Sequence, residues 1–208
     1  MFRVLKMAVA FIIFTMPALA VAGSHGPFGI DYKVNYDNDG IINRKAQLFV
    51  EDLTLALIVG GAIWEGGDSR LGRTYWQSID ASALATVSST VLKNTFSRSR
   101  PTESSNPNLW FQGSGHRSFP SGEVTFLSAA VTPFVIEYRQ DHPEVYALEL
   151  LPIYDMIARV KVAGHWQSDV LAGFALGTAS GYLASKRDTP WTLGVLPTGF
   201  TVGFKKRF

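Results

Sequence analysis

His165 is followed four positions later by Asp169 in the stretch Ala158 to Gly173, ARVKVAGHWQSDVLAG, and preceded by Arg159. If the chain is helical from Trp166 onward, the imidazole and the carboxylate share a face. The carboxylate can then take the proton on one ring nitrogen and leave the other free to attack an electrophile. Two more stretches carry matching chemistry. Lys93 to Pro101, KNTFSRSRP, puts Lys93, Arg98 and Arg100 at the end of a helix that Pro101 stops. Phe119 to Phe126, FPSGEVTF, reads as a loop closing on a first helical turn, with Ser121 as N-cap and the amides of Gly122 and Glu123 facing outward, where they bind anions. Taken singly, each has a plainer reading. Cations suit any helix C-terminus, and a His with an Asp four residues on is commonly a surface pair. Together they offer a nucleophile, a set of cations and an anion-binding turn, which is the equipment for a phosphate.

These residues need a scaffold, and the apolar pattern supplies one. Long apolar segments rich in Ala, Gly, Ser and Val run from Phe49 to Trp64, Trp76 to Phe96, Val124 to Tyr138, Val145 to Val162 and Asp169 to Ser185. They read as five helices that small residues allow to approach closely, and none holds a clean apolar run of eighteen residues. The expectation is an all-α protein: a compact bundle of five to six helices over residues 48–188, in preference to a polytopic membrane protein. Ahead of it, residues 23–47 form an extended segment in which Tyr32, Val34 and Tyr36 alternate as in a short strand. Asp37-Asn38-Asp39-Gly40 then reads as a turn, because the twelfth position of a calcium loop counted from Asn35 is Ala46 and not Glu. Behind it, residues 189–208 alternate around Pro197-Thr198-Gly199 as a β-hairpin-like tail.

The three blocks, Lys93-x6-Arg100-Pro101, Pro120-Ser121-Gly122 and Arg159-x5-His165-x3-Asp169, resemble the type 2 phosphatidic acid phosphatase superfamily in order and separation. The resemblance implies a helical bundle shared with bacterial acid phosphatases, lipid phosphate phosphatases and vanadium haloperoxidases. It also implies phosphoester hydrolysis through a phosphohistidine, with no metal ion or other cofactor. On that footing His165 is the nucleophile and Asp169 fixes its tautomer. Lys93, Arg100, Arg159, the Ser121 hydroxyl and the Gly122 amide hold the phosphate oxygens. Arg98, between motif positions, is left as a helix-face residue that adds to the field.

The family's second block normally ends in His, which protonates the leaving oxygen; here Glu123 stands in that place. Three readings remain open. Glu123 is a first-turn residue favoured by the helix dipole, and the protein is a catalytically weak or inactive envelope protein that binds phosphate or lipid. Alternatively, Glu123 is the general acid, its pKa raised by burial and a facing phosphate anion. In the third, His116, on the loop leading into the site, supplies the proton.

Bulk properties bound the partners. A formal net charge of +2 over 208 residues excludes a general affinity for nucleic acid, so anion binding must be local. There is no cysteine, so the fold rests on packing alone. The opening residues 1–22, with Arg3 and Lys6 ahead of an apolar run ending in small residues, have the pattern of a secretory signal peptide. That predicts an exported protein, periplasmic or associated with an envelope membrane. Its substrate is then a phosphorylated lipid or a small phosphoester, and Leu53–Trp64 and Val124–Ile136 offer apolar faces for membrane contact. Trp110 and Phe111, on the loop that roofs the site, can lie against an acyl chain or pin the loop to the core. Vanadate-dependent peroxidation is the rival chemistry for such a pocket.

Overall fold

The computed structural model describes residues 25–188, 190–191, 195–196 and 199–200. Five α-helices carry the fold: α1 (Arg44–Glu65), α2 (Arg70–Phe96), α3 (Gly122–Tyr138), α4 (Leu150–Lys161) and α5 (Gln167–Ser185). The protein is an all-α bundle. A 3-10 segment, Pro143–Glu149, leads into α4 where the apolar pattern suggested one unbroken helix from Val145. The first two helices begin at Arg44 and Arg70, about one and a half turns ahead of their apolar stretches. Their caps lie among polar residues, where Asn43 Oδ1 accepts from the Ala46 amide at 2.9 Å and Ser69 Oγ from that of Gly72 at 2.8 Å.

The central helix is α3, packed against both α2 and α5. Gly173, Gly177 and Gly181 form a ridge on α5 at a spacing of four, which keeps them on one face. A Cβ on Gly177 would sit 2.3 Å from the Thr125 carbonyl oxygen, and one on Gly181 would sit 2.4 Å from Thr132 Cβ. The helices therefore touch backbone to backbone. The α3 hydroxyls that face this ridge cost little to bury, because Thr125, Ser128 and Thr132 each donate to the carbonyl four residues back at 2.6, 2.8 and 2.7 Å. Ala81, Ala85, Ala129 and Ala184 fill the space between α2, α3 and α5.

By contrast, α1 is held by a narrow stripe of buried Gln47, Thr54, Ile58 and Ala62. Among the described residues it is the one helix long and apolar enough to cross a membrane. Its mean hydropathy is 1.6 over a stretch that is only 22% buried. Trp64 is 88% exposed and Ile63 73%.

Two local expectations need correction. Residues 30–39 form no strand: the main chain at Tyr32 pairs with the side-chain amide of Gln167, which donates to the Tyr32 carbonyl and accepts from its N–H. With no neighbouring strand, alternation alone makes no sheet. Pro101 does not stop α2. Ser97 does, in the left-handed conformation at φ 40, with its N–H bonded to the Lys93 carbonyl, so Arg98 and Arg100 lie beyond the helix and only Lys93 in its last turn. At the other end of the chain, β1 (Val195–Leu196) and β2 (Gly199–Phe200) pair antiparallel, with Val195 opposite Phe200. The proposed signal segment and the rest of the tail lie outside the described residues.

Candidate active site

Three cations and one imidazole converge where the end of α2, the start of α3, the end of α4 and the start of α5 meet. His165 is 2% exposed and lies just ahead of α5, whose N-cap is Trp166. It therefore does not share a helical face with Asp169. Its Nδ1 lies 2.6 Å from the Ser118 carbonyl oxygen, which can only accept, so the proton is on Nδ1 and the Nε2 lone pair is free. Asp169 Oδ2 stands 3.9 Å from the same nitrogen, beyond hydrogen-bond reach. The expected tautomer role thus belongs to a main-chain carbonyl, with the Asp169 carboxylate close by. Its carboxylate also caps the helix, accepting the Trp166 amide at 2.9 Å, and receives the Ser118 hydroxyl at 2.5 Å.

Burial drives the His165 pKa down to about 3, and the nearby charges of Arg159, Lys93 and Arg100 push the same way against Asp169. Burial and the cations thus both favour the neutral imidazole, the form a nucleophilic histidine requires.

Main-chain carbonyls hold two of the cations. Lys93 Nζ donates to Pro120 at 2.6 Å and to Arg117 at 3.1 Å, and Arg100 donates to Gly164 at 2.9 Å and Arg117 at 3.3 Å. Residues 117–120, which include a cis Phe119–Pro120 bond, thus form a cradle that serves three catalytic candidates at once. Burial first, then Arg100, lowers the Lys93 pKa to about 8. Arg159 is 5% exposed and lies flat against Gly164, where a Cβ would come within 2.6 Å of its Nη2. Only glycine leaves room for that guanidinium.

Ser121 Oγ and Arg159 Nε are buried donors at the site without a partner. Ser121 occupies the N-cap position of α3 but makes no side-chain cap bond. Such orphans are rare in native interiors and call for an explanation; a bound anion's oxygens would satisfy both. The Gly122 backbone lies beside Lys93, with a Cβ position 3.3 Å from Lys93 Cε.

Glu123 is placed differently from any raised-pKa expectation. Arg44, from the first turn of α1, grips it through two hydrogen bonds, one of 2.7 Å, and Arg159 stands 3.7 Å away. Burial pushes the carboxyl up, but the bonds from Arg44 and the charges of Arg159 and Arg44 outweigh it and hold the group below the usual glutamate range. His116 Nδ1 is 2.8 Å from Glu103 Oε2 and 3.2 Å from Ser99 Oγ, with its side chain 36% exposed. The same Glu103 oxygen accepts the Arg100 amide at 2.9 Å, which tethers His116 beside the pocket.

Arg98 needs the largest revision. It is not on a helix face but fully buried, donating to Asp169, Asp31, Ser168 and the Pro107 carbonyl. Trp110 lies over its guanidinium at 4.3 Å and packs edge-on against Phe119 and Phe96, so this loop aromatic is a pin, whereas Phe111 is 61% exposed. Asp31, Arg44 and Asp155 are further members of the site region that residue type and spacing did not single out.

A model of the PAP2 superfamily matches residues 74–191, more than half of the chain. The chain belongs to the PAP2 superfamily. Searches of curated proteins and of solved structures returned no match. Membership supports a phosphatase or hydrolase role on a phosphoester. Within the PAP2 match lie Lys93, Arg100, Ser121, Gly122, Arg159, His165 and Asp169, while Asp31 and Arg44 come from outside it.

Proposed function

We propose that this PAP2 protein is an envelope phosphatase that cleaves a phosphomonoester or pyrophosphate, with a lipid as the favoured carrier, through a phosphohistidine. The observation that carries the reading is buried His165, its Nδ1 2.6 Å from the Ser118 carbonyl oxygen so that Nε2 is left for attack, in the field of Lys93, Arg100 and Arg159. In the first step Nε2 attacks phosphorus, the N–P bond forms and the P–O bond to the leaving group breaks. Charge growing on the equatorial oxygens is met by the three cations, Ser121 Oγ and the Gly122 amide. In the second step water attacks phosphorus, the N–P bond breaks and phosphate leaves.

The leaving oxygen needs a proton, and an ionised Glu123 clamped by Arg44 has none to give. We assign that role to His116, which Glu103 tethers next to Arg100, as the donor to the leaving oxygen and afterwards the acceptor of the proton from water. The lipid preference rests on α1, whose exposed Leu53, Leu57, Ile63 and Trp64 give an apolar face suited to a bilayer. The signal-like residues 1–22 favour export.

The decisive test is to trap labelled phosphoenzyme, with His165→Ala as control, using phosphatidic acid in vesicles beside a soluble short-chain phosphomonoester. Label on wild type that is lost in the variant supports the mechanism, and higher turnover on vesicles supports the lipid. Binding of phosphate without turnover of either substrate would instead favour the inactive binding protein.

A further inference from the structure

Asp31 lies in the N-terminal segment, 1% exposed, between Pro27–Gly29 and the first helix. Its Oδ2 accepts from Arg98 at 2.5 Å and from Ser168 Oγ at 2.7 Å, and its Oδ1 accepts the Ser168 amide at 2.8 Å. Arg98 in turn donates to Asp169 Oδ1 at 2.5 Å. From Asp169 the chain runs through the Ser118 hydroxyl, and the carbonyl of the same Ser118 holds His165 Nδ1. One continuous path therefore joins a residue outside the PAP2 match to the nucleophile.

The charge count gives this path a purpose. Two carboxylates share one guanidinium, and the side chains of Asp31, Arg98 and Asp169 are all 0% exposed, so the buried trio carries a formal charge of −1. With Arg98 alone, Asp169 would be neutralised. With Asp31 drawing on the far edge of the guanidinium, the trio keeps negative potential on the side of Asp169, 3.9 Å from His165 Nδ1. That ring becomes cationic in character when Nε2 bonds to phosphorus, and a preorganised negative charge in a dry site stabilises it at that moment. Asp31 also pins the first turn of α5 through Ser168, which fixes the position of Asp169.

We propose that Asp31 is a positioning residue of the active site: acting through Arg98, it sets the charge and place of Asp169 and so favours formation of the phosphohistidine. This rests on the phosphohistidine reading above.

The test uses the full chain. Asp31→Asn is expected to lower kcat about 30-fold or more while KM and the inhibition constant of inorganic phosphate move less than about threefold, because ground-state phosphate is held by other groups. Asp31→Glu, which retains the charge, is expected to recover part of kcat. Asp31→Ser, smaller and with room for water, serves if the Asn variant does not fold. His165→Ala is run alongside: its retained turnover would fail the phosphohistidine reading, whereas its loss together with an unchanged kcat in folded Asp31→Asn would overturn this inference alone. Loss of phosphate binding in parallel with kcat, or failure of both the Asn and Ser variants to fold, would make Asp31 a residue of the fold and overturn it as well.

Discussion

On the α2–α5 side of the pocket the buried charges are fully engaged: Arg98 serves Asp31, Asp169, Ser168 and the Pro107 carbonyl, and Trp110 covers its face. On the α1–α4 side they are not. Arg159 Nε is buried without a partner, with Nη1 donating to Gln47 at 3.1 Å and reaching Glu123 only at 3.7 Å, and the Ser121 hydroxyl between the two sides is also unpaired. On the proposed mechanism, the first side is a finished structure that orients the nucleophile. The second keeps hydrogen-bonding capacity in reserve, as a surface that meets a ligand must, and its cost in the empty state is offset when an anion arrives. Orientation and binding thus fall to different elements, and substitutions can separate them.

The sharpest separation comes from exchanging one arginine on each side. Arg98→Met leaves two buried carboxylates facing each other without a counter-charge, a defect worth about 3–5 kcal/mol. Thermal unfolding should fall by about 10 °C, and turnover should be lost with it. Arg159→Met removes a cation that is already short of partners, so the melting temperature should move far less. Its loss should appear as phosphate inhibition weakened about 30-fold, some 2 kcal/mol. Equal damage to stability from both variants would dissolve the contrast.

Acid–base behaviour sharpens it further. Asp155 is 1% exposed, and burial followed by the nearby Glu123 charge raises its pKa to about 7. Its folded value lies above its unfolded one, so its contribution to stability is full below about pH 4 and is lost as pH rises through 7. Asp155→Asn should therefore raise the melting temperature by a few degrees at pH 8 and leave it nearly unchanged at pH 4. Lys93, lowered to about 8, is the matching group for binding. Phosphate inhibition should hold below pH 8 and weaken about tenfold per unit above it as that charge is lost.

How far the residue string announced all this differs between the two sides as well. Lys93, Arg100, Arg159 and His165 have plain readings one by one and stand out because the three blocks that carry them occur together in order and spacing. The helices themselves were legible from those segments, with errors confined to ends such as Arg44, where the polar first turn lies outside the apolar pattern. Arg98 could not be told from its neighbours, since its partner Asp31 lies 67 positions away and nothing local marks either residue for burial. The proton acceptor for His165 is equally invisible, because a main-chain carbonyl such as that of Ser118 is carried by every residue. The Arg44–Glu123 grip spans 79 positions, so Glu123 looked open to acid catalysis until its neighbour was known.

Glu123 gives the smallest expected effect and the closest test of the proton's source. Held ionised by Arg44, it is a neutralising group for Arg159 and contributes no proton, so Glu123→Gln should change kcat by less than about threefold at any pH between 5 and 8, within the range of a partly exposed ion pair. His116→Ala should instead slow alkyl phosphates, whose leaving oxygen needs a proton, far more than p-nitrophenyl phosphate, whose leaving group departs as a stable anion. The two substrates thus read proton donation separately from binding and attack. If the alkyl-specific loss followed Glu123→Gln and spared His116→Ala, phosphate binding would have to displace Arg44 and return a proton to the carboxylate. The α1 side of the pocket would then be part of the catalytic apparatus and not only its binding face.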